Sequence, residues 1–151
     1  MRLLLQRVTS AMVKSDSDFI YSQIGKGLLI FIGIEASDTD SDIDYLVHKV
    51  LQVRIFDDPA GVMNCSIQEI AGELLIVSQF TLHAATKKGN RPSYIRAARP
   101  EIAQPLYKQF ISKFADSGIR VQTGSFGAMM QVSLVNDGPV SIWIDSKNKE
   151  Y

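Results

Sequence analysis

The sequence predicts a single α/β domain over residues 1–151, with a mostly antiparallel or mixed β-sheet, barrel-like, and two main helices packed on it. Three observations point there. Short apolar runs punctuated by Gly, Pro, Asn and Asp recur along the chain, as strands and turns do. Two longer stretches, one after Ser41 and one after Pro100, repeat apolar residues at helical spacing. No linker, low-complexity segment or internal repeat divides the 151 residues, a length that suits one domain burying roughly two thirds of its unfolded surface.

Taken in order, Leu3-Leu4-Leu5, Val8 and Val13 mark a first strand, and Lys14 to Asp18 a polar turn. Phe19 to Ile24 reads as the return strand of a hairpin, closed by Gly25-Lys26-Gly27. Leu28 to Ile34 is a strongly apolar strand in which Gly33 permits close backbone approach or a turn. The alternating Asp38, Asp40 and Asp42 superficially resemble a calcium loop, but the glycine at its sixth position and the closing glutamate are missing. A helix start accounts for them better, since Asp and Ser cap free N–H groups and acids suit the positive helix end. Ile43, Leu46, Val47, Val50 and Leu51 then follow at helical spacing.

Val53 to Phe56 is expected as a short strand, followed by the turn Asp57 to Gly61. Leu74 to Leu82 is the stretch around which the chain is organised. Leu74-Leu75-Ile76-Val77 suits a strand covered on both faces, and Ser78, Gln79 and Thr81 turn it polar at its carboxyl end. Delivering hydroxyl and amide groups from a rigid strand end is a common way to build a site. The second helix is expected from Pro100, with Ile102, Leu106, Phe110 and Phe114 facing the sheet, Pro105 marking its first turn and Gly118 ending it. Ile119 to Gln122 and Met130 to Val135 read as strands; Asn136-Asp137-Gly138 then reads as a hairpin turn before a last strand, Val140 to Ile144.

Composition narrows the function. Sixteen basic and 16 acidic residues cancel, so no global field draws the chain to nucleic acid or membrane. The single cysteine, Cys65, excludes an intramolecular disulfide and a cysteine-rich zinc site; its expected role is packing, in a reducing cytoplasm. Arg2, Gln6, Arg7 and Lys14 interrupt the N-terminal apolar run, unlike a signal peptide. No apolar stretch nears the roughly 20 residues that span a bilayer. Locally, Lys87, Lys88, Arg91, Arg96 and Arg99 cluster around Tyr94, a candidate contact for phosphates or an ordinary solvated loop. The turn Thr123 to Ala128 lacks the Gly-Lys-Ser/Thr of a P-loop. A Ser–His pair of Ser78 and His83 lacks a nucleophile elbow. No cofactor or metal is expected, and residue types alone leave the reaction open.

Two pentapeptides change that. Ser78-Gln79-Phe80-Thr81-Leu82 and Asn136-Asp137-Gly138-Pro139-Val140 together strongly resemble the signature motifs of D-aminoacyl-tRNA deacylases. The likeness extends through Gln6-Arg7-Val8, Arg54-Ile55-Phe56, Lys88 to Ser93, Thr123-Gly124 and Phe126-Gly127-Ala128. Met129, where many relatives carry an acid, and Ser141, where Thr is usual, depart from it without touching either motif. The resemblance implies hydrolysis of the ester between a D-amino acid and the 3′-terminal adenosine of tRNA, and a homodimer. It implies that Gly138-Pro139 is cis and enters the partner's pocket as a backbone wall against L-side chains, opposite Ser78, Gln79, Phe80 and Thr81. Glycine would evade that wall, which adds glycyl-tRNA as a substrate. Phe126 and Met130 are expected at the substrate, and Lys87, Lys88 and Arg91 on tRNA. Thr81 reads as a positioning group rather than a nucleophile, since no base stands at reliable spacing. A covalent Thr81 esterase or amidase, and an RNA- or partner-binding protein without chemistry, remain the other classes.

Overall fold

A computed structural model describes residues 1–15 and 20–150, so most of the predicted turn Lys14 to Asp18, and Phe19 at the start of the expected return strand, lie outside the described residues. In chain order come β1 (Arg2–Ser15), β2 (Ile20–Ile24), β3 (Gly27–Gly33), α1 (Asp40–Gln52), β4 (Phe56–Asp57), β5 (Met63–Cys65), β6 (Glu73–Ser78), α2 (Pro100–Ser112), β7 (Val121–Thr123) and β8 (Gln131–Asp145). β1 is the hub. It pairs antiparallel with β3 along its first half, with β2 along its second, and with β8 from Arg2 to Lys14. β3, β6 and β7 run parallel, so the sheet is mixed, in the order β2-β1-β3-β6-β7 with β8 on β1. The Ser22 hydroxyl donates to the Thr123 carbonyl at 2.8 Å, drawing β2 towards β7 and nearly closing a barrel.

β6 separates two cores. Leu74 and Ile76 face the helices, among Phe56, Phe110 and Phe114; Leu75 and Val77 face Val8, Ala11, Val13, Ile24 and Leu29. A strand buried on both faces reads as an unbroken apolar run, which is why β6 was legible. α1 begins where the acids predicted a helix: the Asp42 carboxylate accepts the Thr39 N–H at 2.8 Å, and Ile43, Leu46, Val47 and Val50 are buried. Cys65 packs against the larger core.

Three expectations are corrected. α2 starts with Pro100 at its first turn and carries Pro105 inside it. It buries Ala103, Tyr107 and Phe110, with Phe114 just beyond its end, while Ile102 stays 43% exposed. Phe110 and Phe114 face the core as expected; nearer the helix start the buried face shifts because the Tyr107 hydroxyl finds the buried Ile76 carbonyl at 2.9 Å, which lets a large ring enter the core. The short strand after α1 sits at Phe56–Asp57 rather than from Val53, which caps the helix. Most consequentially, Asn136-Asp137-Gly138 is no hairpin turn. β8 continues along β1 on both sides of it. Between the pairs Gln6–Ser141 and Val8–Asn136 only Arg7 of β1 faces Asp137 to Val140, so those residues bulge from the strand.

Candidate active site

β6 ends beside the start of α2, and the strand predicted to Leu82 stops at Ser78. The Gln79 N–H still donates to Ile32 at 2.8 Å; the chain then coils into a 3₁₀ turn, Phe80–His83. Gly33 makes room for that turn: a Cβ there would lie 3.0 Å from Leu82 Cβ and 3.1 Å from the Gln79 carbonyl oxygen. Of the two roles open to Gly33, close approach is the one the structure uses. The turn sends Phe80 outward, 57% exposed, edge-on to Tyr94 at 5.1 Å. His83 goes inward.

A cavity of about 570 Å³ opens at this point, within the usual size of small-molecule sites. Ser78, Gln79 and Phe80 line it from the end of β6, and Phe126 to Met130 from the loop before β8. Tyr94 and Ala97 to Pro100 contribute from the loop into α2, with Ile32, Ile34, Val77 and Val132 adding apolar surface. The sequence-predicted Ser78, Gln79, Phe80, Phe126 and Met130 are thus brought together. Thr81 joins them through a hydrogen bond, its hydroxyl accepting from the Gln79 side-chain amide. Gly138, Pro139, Lys87, Lys88 and Arg91 do not line this cavity.

The electrostatics around the turn are those of a neutral histidine. His83 Nδ1 lies 3.9 Å from Glu35 Oε2, which also pairs with Arg96 at 3.2 Å. Burial holds the His83 pKa below its ordinary value, and Arg2 and the Met1 ammonium press it the same way. It makes no Ser–His pair. Burial likewise pushes the Tyr107 hydroxyl far above the usual tyrosine range, leaving it a neutral donor.

The bulge of β8 is held from both sides. Arg7, 6% exposed, donates to the carbonyls of Asp137 at 3.0 Å and Ile55 at 2.7 Å, and pairs with Asp57 at 3.1 Å. Asn136 accepts the Val140 N–H at 2.7 Å and donates to the Ser141 hydroxyl at 3.1 Å. Gly138 and Pro139 are exposed at the tip, joined by a cis peptide bond, and Gly138 has a φ of 129° that side chains resist. Arg7, which the sequence offered only as part of the likeness, is the buried cation that braces the bulge. Its signal was an arginine between Leu5 and Val8, in a strand otherwise bound for the core.

Likeness to known proteins places the chain among the hydrolases of aminoacyl-tRNA. The profile of the family D-Tyr-tRNA(Tyr) deacylase matches residues 4–145. The chain belongs to that family. It is 57% identical to the D-aminoacyl-tRNA deacylase of Flavobacterium psychrophilum and 56% identical to that of Bacteroides thetaiotaomicron, in each case over 99% of this chain and 100% of the relative. Among solved structures, the c-Myc DNA Unwinding Element Binding Protein superposes with a TM-score of 0.89 at 36% identity, covering 96% of this chain and 98% of that one. A probable eukaryotic D-amino acid tRNA deacylase shares the fold, with a TM-score of 0.82 at 20% identity over 95% and 97% of the two chains.

Proposed function

We propose that this protein hydrolyses the ester of D-aminoacyl-tRNA, releasing the D-amino acid and tRNA, and that it accepts glycyl-tRNA by the same route. The observation that carries the reading is the cavity joining Ser78, Gln79 and Phe80 to Phe126 and Met130, in a chain of this family. Phe80 and Tyr94 offer aromatic faces at its mouth on which a terminal adenine can stack. Water attacks the ester carbonyl carbon, the bond to the 3′ oxygen breaks, and that oxygen leaves with a proton. The amides of Phe80 and Thr81 open a 3₁₀ turn and so lack acceptors within it. In this reading they hold the carbonyl oxygen as charge develops. Thr81, engaged by Gln79, positions the substrate, and the neighbouring 2′-hydroxyl of the tRNA assists the proton transfer. An aminoacyl ester is already activated, so alignment supplies much of what remains.

The same reading makes the protein a symmetric, cytoplasmic homodimer. Gly138 and Pro139 are exposed, braced by Arg7 and Asn136, and apart from the wall of their own chain's cavity. A two-fold interface lets each protomer's bulge close the other's site. Backbone at that place excludes an L-side chain whatever its identity. No described helix is long and apolar enough to cross a membrane. Lys87, Lys88 and Arg91, exposed on the neighbouring loop, take the tRNA phosphates.

Matched D- and L-tyrosyl-tRNA test the function. The expected result is hydrolysis of the D-ester at least about a hundredfold faster than of the L-ester, a ratio a site reaches by rejecting a misplaced group. Equal rates, or none on either, would overturn it.

A further inference from the structure

Gly124 lies in the turn between β7 and β8, is buried, and lies outside the set of positive-φ residues. Backbone conformation therefore does not require glycine there. The requirement comes from Met130: a Cβ on Gly124 would sit 2.6 Å from its sulfur and 3.5 Å from its terminal methyl, with Val13 Cγ2 next at 3.8 Å. Gly124 cannot simply retreat, because its N–H donates to the Ile76 carbonyl of β6 at 3.1 Å.

A displaced Met130 side chain would have two directions open to it. One is the second core, where Val13, Leu75 and Val77 are at most 1% exposed and protein interiors are close-packed. The other is the cavity, whose wall Met130 already forms. A flexible thioether moves to the empty side.

We propose that Gly124 is a positioning residue for the deacylation: its missing side chain holds Met130 back and thereby sets the width of the cavity that receives the aminoacyl end of the tRNA. This rests on the reading of the cavity as the substrate site. Gly124 touches no substrate and acts through Met130 alone.

The test is a double-mutant cycle on D-tyrosyl-tRNA. Gly124→Ala should raise KM about tenfold at nearly unchanged kcat, the size of effect that one methylene has in an apolar pocket. In the Met130→Ala background the same change should leave KM where it was. In parallel, methyl-¹³C labelling of the five methionines should show the Met130 resonance moved in Gly124→Ala. A folded Gly124→Ala protein with wild-type KM and an unmoved Met130 methyl overturns the proposal, as does a KM rise that persists without Met130. Should Gly124→Ala fail to fold while Gly124→Ala/Met130→Ala folds, the steric conflict is demonstrated directly; failure of both to fold overturns it. The methyl readout needs no turnover, so a wild-type protein inert on D-tyrosyl-tRNA would sink the functional reading separately.

Discussion

His83 is 1% exposed, and neither ring nitrogen finds a well-formed hydrogen bond. Its pKa is lowered first by burial and then by Arg2 and the Met1 ammonium, against the opposing pull of the Gly33 carbonyl and Glu35. The unfolded chain carries a histidine of pKa about 6.5. Above that pH neither state holds the proton, and the full stability is present. Below it the unfolded chain takes up a proton that the folded one resists, so stability falls until the lowered folded pKa is reached. The unfolding free energy should therefore decline between pH 7 and 5, with a limiting slope of about 1.4 kcal/mol per pH unit. His83→Leu should flatten this window, as read from urea titrations at several pH values. The carboxylates act later. Asp42, which burial alone would raise, is held far below the usual range by Lys147, Ser146 and Thr39, so its contribution fades only in stronger acid. Parallel declines in wild type and His83→Leu would assign the effect to another group.

The bulge in β8 is the element with most at stake. Asn136 ties its two ends together through Val140 and Ser141. Asn136→Ala strands the Val140 N–H and should lower the unfolding free energy by about 1–2 kcal/mol, measured in urea. On the proposed function it should also erode the preference for D-tyrosyl- over L-tyrosyl-tRNA; a variant with unaltered stability and unaltered preference would remove Asn136 from the account. This element also shows where sequence reading stops. β6 was legible because burial on both faces writes an unbroken apolar run, and Ser78 and Gln79 mark its end. The continuity of β8 was not, because Asn-Asp-Gly has the local chemistry of a turn and only pairing with β1, over 100 residues distant, overrides it. α2 was found with Phe110 and Phe114 inward as expected, but nearer its start Ala103 and Tyr107 are the buried residues, since a tyrosine reads as ambiguous until its hydroxyl has a partner. Cavity residues such as Ala97 and Ala98 carry no chemical signal at all; only the fold brings them there.

At the scale of the whole molecule the formal charge is zero, so attraction to a polyanion has to come from where charges sit. Lys87, Lys88 and Arg91 stand exposed on one loop, with Arg96 and Arg99 following. Replacing the first three by alanine should weaken binding of every tRNA alike and reduce the slope of log affinity against log salt by about 2–3, at roughly 0.7–0.9 per lost phosphate contact. A slope unchanged in filter binding across salt would place the tRNA elsewhere. The topology has a further consequence, for synthesis. β1 leaves the ribosome well before β8, yet one of its edges is covered only by β8, with Arg2 bonded to Asp145 across 143 residues. At about 5–20 residues per second, the nascent chain waits on the order of ten seconds for that strand. Throughout that interval an apolar strand offers unpaired N–H and C=O groups, a template for neighbouring chains. Until β8 emerges, that open edge is the kind of surface a holding chaperone would cover, and the pairing of β8 removes it.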